Sequence, residues 1–166
     1  MIVTWDWTYQ LEDRDLKTVG PGDIWRWRVQ SMVSNQIISD APFGVCEIEG
    51  EPNHRINVIG FNKANNSIVQ YSNENLILRS SSGLCKIKGK VLDYSGMGRR
   101  LPILFETTNQ QYSIATNTVG EWYQFFVPKT KVAIIIDDVK VWLEIPPTNE
   151  LAYDDIEGNV GYRIPK

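Results

Sequence analysis

Trp122-Tyr123-Gln124-Phe125-Phe126-Val127 runs into Pro128, and Val132-Ala133-Ile134-Ile135-Ile136 follows. Asp137-Asp138 then separates that run from Val139-Lys140-Val141-Trp142-Leu143-Glu144-Ile145, and Pro146-Pro147 ends the stretch. Runs of β-branched and aromatic residues this short, with no helical period, read as strands. Two polar residues between two such runs give the spacing of a tight hairpin, although Asp-Asp is a weaker turn signal than Asp-Gly.

Working toward the N-terminus, the same signals continue. Tyr112, Ile114 and Thr116 alternate with polar neighbours, and Pro102 opens Ile103-Leu104-Phe105-Glu106. A proline is tolerated there because the first residue of a strand need not donate to the ladder. Asp93-Tyr94-Ser95-Gly96-Met97-Gly98 reads as a turn. Before it, Ile87, Gly89 and Val91 alternate with Lys86, Lys88 and Lys90. Three lysines on one side of a strand suit a solvated face or a protected sheet edge. Six strands in about 60 residues predict an all-β, antiparallel β-sandwich or barrel between Gly83 and Pro147. The acidic tail follows, with Leu151 and Tyr153 expected to pack back onto the domain.

The first half is rich in tryptophan. Val3, Trp5, Trp7 and Tyr9 alternate with polar residues, and so do Trp25, Trp27 and Val29 with Arg26, Arg28 and Gln30. Period two predicts a strand from each, joined as an antiparallel pair across a long loop, with Asp6 facing Arg26 or Arg28. Val45–Glu49 and Arg55–Ile59 read as short strands around a turn at Gly50-Glu51-Pro52-Asn53. Ile68-Val69 and Leu76-Ile77-Leu78 are apolar islands in an Asn- and Ser-rich stretch and suit edge strands. Ser80-Ser81-Ser82-Gly83 is the best linker, which divides the chain into a Trp-rich β-region at 1–82 and a β-domain at 83–166.

Composition excludes several classes. A 42% apolar and 22% charged chain of 166 residues can fold, and its net charge of −3 lacks the basic surplus of a general nucleic-acid binder. No apolar run approaches the roughly 18–20 residues that cross a bilayer, so no membrane partner is expected. The opening residues lack a basic n-region, and Asp6 interrupts them, so no secretory leader is read there. Cys46 and Cys85 are too far apart for a CxxC motif, and two buried thiols are expected rather than a disulfide.

A search for chemistry finds little. His54, the only histidine, sits after Pro52-Asn53 in a turn, and no G-x-S-x-G elbow supplies a nucleophile to go with it. A carboxylate pair such as Asp6 with Glu121 is conceivable for glycoside hydrolysis, as in any acidic β-protein. Asp137-Asp138 reads first as a turn, and Asp154-Asp155 with Glu157 as a solvated tail without EF-hand spacing. Gly96-Met97-Gly98-Arg99-Arg100 lacks the rest of a phosphate-binding fingerprint. No catalytic residue, cofactor or metal is expected. Candidate interface residues are Trp5, Trp7, Trp25, Arg26, Trp27, Arg28, Lys86, Lys88 and Lys90. The tryptophans have three readings: core beneath a second sheet, a protein–protein contact supported by Arg26 and Arg28, or a platform for sugar rings.

Residues 85–156 resemble the carboxypeptidase regulatory-like, or transthyretin-like, β-sandwich, in the version found in bacteriophage virion proteins. The resemblance lies in Ile87-Lys88-Gly89-Lys90-Val91, the D-x-x-G turn Asp93-Tyr94-Ser95-Gly96, and Pro102-Ile103-Leu104-Phe105. It continues in Thr116, Gly120, Trp122, Phe126 and Pro128, then Trp142-Leu143-Glu144-Ile145-Pro146 and the tail with Leu151 and Tyr153-Asp154-Asp155. The chain departs from the pattern at Lys129-Thr130-Lys131, where the family usually places a glycine before a Tyr-led strand. Residues 1–82 have no counterpart in it. The resemblance implies a non-catalytic structural module of a capsid, neck or tail fibre. Its partners would be other virion proteins and further copies of itself, with assembly into the virion in the host cytoplasm. The alternative is a carbohydrate-binding module using exposed tryptophans, for instance on a host-surface glycan.

Overall fold

A computed structural model describes residues 1–5, 24–62, 68–71, 76, 78–157 and 162–164. They form an all-β protein with a single five-residue helix, and most strand pairs are antiparallel. Two compact units divide at Ser81/Ser82, within the Ser80–Gly83 stretch. No helix among the described residues is long and apolar enough to cross a membrane.

The first unit holds two sheets. Strands β1 (Ile2–Thr4) and β4 (Val45–Glu47) form an antiparallel pair. Strands β2 (Ile24–Ser31), β3 (Ile37–Ser39), β5 (Ile56–Asn62) and β6 (Ile68–Tyr71) form a second sheet in the order β3-β2-β5-β6. The opening strand therefore does not pair with β2, as the two alternating runs predicted. It pairs with β4 and bridges to Arg79, whose amide donates to the Ile2 carbonyl at 2.8 Å. The aromatic residues still meet, but through side chains. The Trp5 ring lies 6.1 Å from Trp27, and Phe43 stands 6.1 and 5.1 Å from the two. Two aromatic rows can share one sheet face or bury against each other, and burial removes far more apolar surface from water. Asp6, Trp7 and Tyr9 lie outside the described residues, as does the expected contact of Asp6 with arginine.

The second unit is built from β7 (Cys85–Leu92), β8 (Pro102–Glu106), β9 (Gln111–Ala115), β10 (Glu121–Phe126), β11 (Lys131–Ile136) and β12 (Val139–Glu144). The tail adds β13 (Glu150–Ala152), α1 (Tyr153–Glu157) and β14 (Tyr162–Arg163). One sheet runs β12-β11-β8-β9. In the other, β7 is central: β10 pairs with it antiparallel, and β13 and β14 pair with its other side in parallel. The two sheets are joined by Phe105, whose ring lies 6.0 Å from Trp122 and 5.2 Å from Phe126. Ile87, Val91, Ile103, Phe105, Val132, Ile134 and Ile136 are fully buried around them. The arrangement is sandwich-like.

Each turn has a local cause. Asp137 and Asp138 take φ of 50° and 67°, the doubly left-handed geometry of a two-residue hairpin, which Asp tolerates better than most side chains. Lys129 takes φ 69°, so the position without the expected glycine keeps a glycine-like backbone. Gly89 sits in β7 opposite Trp122, and a Cβ there would lie 2.7 Å from the indole nitrogen. Only glycine leaves room for the ring to lie across the strand. Gly120, at φ 84°, brings its turn against β7, where the Val91 amide donates to the Gly120 carbonyl at 2.8 Å.

Asp93 organises the turn after β7. Its Oδ1 accepts from the Ser95 hydroxyl at 2.6 Å and from the Ser95 and Met97 amides at 2.9 Å, and its Oδ2 accepts from Arg99 Nε at 3.0 Å. Arg99 is thus tied to a buried carboxylate rather than simply solvated. The Thr116 hydroxyl performs a similar task one turn away. It donates to the Arg99 carbonyl at 2.8 Å and accepts from the Leu101 amide at 2.9 Å.

Gly89→Ala should destabilise the chain by about 1–3 kcal/mol, the usual cost of overpacking, read from the shift of its denaturant unfolding midpoint. The hydroxyl of Ser95, then the Met97 and Ser95 amides and Arg99, lower the Asp93 pKa from 3.8 to about 2. A depressed carboxylate stabilises the fold above its unfolded pKa and loses that contribution as pH falls through the folded value. Thermal melts should therefore show stability declining between about pH 4 and pH 2, with Asp93→Asn less stable at neutral pH and less dependent on acid in that window.

Candidate functional site

The alternation that buries Ile87 and Val91 turns Lys86, Lys88 and Lys90 to the opposite face of β7. Sequence left two uses for that row. The protected edge is excluded, because β7 has neighbours on both sides. The row is an outer sheet face. Register then decides what stands beside each lysine. Phe125 and Glu150 flank Lys86, Tyr123 and Ala152 flank Lys88, and Glu121 lies opposite Lys90.

These neighbours interact. Lys86 Nζ lies 4.6 Å from the centre of the Tyr123 ring and 6.0 Å from that of Phe125. The two rings meet edge to face at 6.1 Å. A cation over an aromatic ring in this range gains about 0.5–1 kcal/mol at an exposed site. Lys88 Nζ reaches Glu150 Oε1 at 3.1 Å, with both side chains about half exposed. An ion pair in water adds little stability, so its main effect is to hold β13 against β7 in register. The result is a strand surface of ammonium groups interleaved with aromatic rings. Such a surface can take up acidic or apolar side chains of another protein. Tyr123, Phe125 and Glu150 were not singled out from sequence. Their signal is the same two-residue alternation, which places Tyr123 and Phe125 opposite in sense to the buried Trp122 and Phe126.

The tryptophan candidates fall differently. Trp5 is 4% exposed and Trp27 fully buried, so both are core rather than interface, and neither offers a face to a sugar or a partner. Arg28 is half-buried on β2. Trp7 and the side chains of Trp25 and Arg26 lie outside the described residues.

His54, Tyr112 and the two cysteines have local surroundings of their own. His54 Nδ1 accepts from the Glu51 amide at 3.3 Å, and its Nε2 is 3.8 Å from an exposed Glu51 carboxylate. Burial pushes the Tyr112 phenol up to about 12, which keeps it neutral beside the Phe105 ring at 5.4 Å. Cys46 and Cys85 are free, buried thiols. Among the described residues no group of three His, Cys, Asp or Glu side chains could hold a metal ion.

The two candidate classes separate by stability. Trp27→Ala should cost about 3–5 kcal/mol, the range for removing a buried aromatic side chain, and lower the unfolding midpoint accordingly. The triple change Lys86→Ala, Lys88→Ala and Lys90→Ala should leave that midpoint within about 1 kcal/mol of the unaltered chain. No family model, no curated protein and no solved structure matches this chain.

Proposed function

We propose that this chain is a non-catalytic structural protein of a bacteriophage particle, a capsid-decoration, neck or tail-fibre component that acts through protein–protein assembly. In this reading the C-terminal unit is a carboxypeptidase regulatory-like β-sandwich. The N-terminal unit anchors the chain, and copies associate with one another and with other virion proteins.

The observation that carries the proposal is where the conspicuous pattern residues of the C-terminal unit go. Gly89 makes room for Trp122, Asp93 caps its turn, Thr116 ties two strand ends, and Gly120 closes the approach of its turn to β7. Each serves the framework, and the outer face of β7 is left to present the lysine and aromatic surface. A framework of this kind with a cationic, aromatic face suits recognition of another protein surface better than turnover of a small substrate. The sugar-binding alternative rests on exposed tryptophans, and the buried Trp5 and Trp27 give it no support, while Trp7 and the side chain of Trp25 lie outside the described residues.

Mass spectrometry of purified phage particles is the direct test. The chain should be present in a fixed ratio to the major capsid protein, and its absence from intact particles would overturn the proposal. Replacing Lys86, Lys88 and Lys90 together by glutamate should lower the number of copies per particle while the free protein stays folded.

A further inference from the structure

Among the described residues, strand β12 lies at the edge of its sheet and pairs with β11 alone. Its alternation gives each main-chain group a direction. Ile145 donates to the Thr130 carbonyl at 2.9 Å and accepts from the Lys129 amide at 2.8 Å, so it bonds toward β11. Antiparallel ladders alternate strictly, and the two-residue hairpin makes Ile136 and Val139 a hydrogen-bonded pair. Val139, Val141, Leu143 and Ile145 therefore bond toward β11. The amides and carbonyls of Lys140, Trp142 and Glu144 point off the edge.

This edge carries little of the protection that sheet edges usually have. Its register with β11 is continuous from Lys131↔Glu144 to Ile136↔Val139, without a bulge, and no proline interrupts it. It is also apolar. Trp142 is 58% exposed and Val139 41%, and Val141 and Leu143 are only half-buried. Lys140 is the one charge of the usual protective sign. It stands on the outer face with its Nζ 2.8 Å from Glu106 and 5.5 Å from the Trp142 ring.

The charges of this edge are complementary to themselves. If a second β12 is laid antiparallel with Trp142 at the centre, Trp142 faces Trp142 of the second copy. Lys140 then faces Glu144 of the second copy, and Glu144 faces its Lys140. These are the residues whose main-chain groups point outward, so the same register forms the hydrogen bonds and pairs the charges. On the inner side, Val141 meets Leu143 of the second copy in both directions. Sliding by two residues sets Lys140 or Glu144 against Trp142 instead, and the charge pairing is lost. A parallel in-register arrangement sets like charges together. An unrelated partner strand would need no such symmetry about Trp142.

We propose that two copies of this chain associate through β12, antiparallel about Trp142, joining their four-stranded sheets into one continuous sheet across a two-fold axis. The proposal extends the assembly reading above by naming one contact, and rests on it only in taking the chain to associate with itself. A strand pair is a small interface, so the association is concentration-dependent.

The test is the mass of the full chain in solution, by sedimentation or light scattering, with circular dichroism confirming that each variant is folded. The unaltered chain should approach about twice 19.0 kDa as its concentration rises from about 1 μM to about 1 mM. Lys140→Glu leaves two acids on the edge and Glu144→Lys leaves two bases, so each variant alone should stay at 19.0 kDa. Mixed in equal amounts, they present complementary edges to each other, and the doubled mass should return. Glu144 takes no part in the Glu106 ion pair, so Glu144→Lys tests the contact even where Lys140→Glu disturbs the fold. A monomer throughout the range overturns the proposal, as does a mass indifferent to Glu144→Lys or a mixture of folded variants that fails to pair. Absence of the chain from phage particles would end the particle reading and leave this contact standing.

Discussion

Trp122 lies across Gly89 with no room for a methyl group between them, and two further parts of the C-terminal unit take their places from that ring. Phe105 reaches it from the facing sheet, at 6.0 Å. Tyr153 reaches it from the tail, edge to face at 5.8 Å, and is 1% exposed. Strand β10 carries the ring, and β7 lies against it at Gly89. A single indole thus touches both sheets and the returning chain end. Aromatic contacts of this kind combine large apolar burial with a preferred geometry, which is why they fix arrangement as well as add stability.

The two units solve the same problem by different means. In the C-terminal unit the aromatic contacts are framed by polar devices at one end, where Asp93 and Thr116 satisfy amides that no ladder reaches. In the N-terminal unit Trp27 of β2 clusters with Trp5, just after β1, and Phe43, just before β4, at pairwise distances of 6.1, 6.1 and 5.1 Å. The Ser31 hydroxyl accepts from the Val33 and Ser34 amides and caps the turn that leaves β2. In both units the buried aromatic residues hold strands together, whereas Trp142 on β12 stays 58% exposed.

That contrast explains what could be read in advance. Strands β7, β8 and β10 are legible because each alternates between a more buried and a more solvated face, whereas β11 and β12 are legible as short apolar runs between the breaks at Pro128, Asp137-Asp138 and Pro146. Alternation reports which way a side chain points but not which strand lies alongside. It therefore groups the three lysines without choosing between a face and an edge or naming their aromatic neighbours, and it does not show that β1 pairs with β4 while Trp5 meets Trp27 through side chains. Strand β3 has three residues with an exposed-intermediate-exposed pattern, so nothing in Ile37–Ser39 distinguishes it from a loop. Strands β13 and β14, of three and two residues, exist because β7 offers them an edge. Their cause lies far away in the chain, where a local window does not reach.

The parallel seating of β13 on β7 sets an order of events. Lys86 and Glu150 are register partners, yet five strands stand between them in the chain. Closing so long a loop is slow compared with forming the hairpins inside it. As the polypeptide is made, β7 has its antiparallel neighbour β10 well before its parallel one. During that interval one side of the central strand is an open template, and the seat of Tyr153 on Trp122 is bare. The acidic tail is thus a closing piece, which ends the period in which the nascent sheet can pair with the wrong chain.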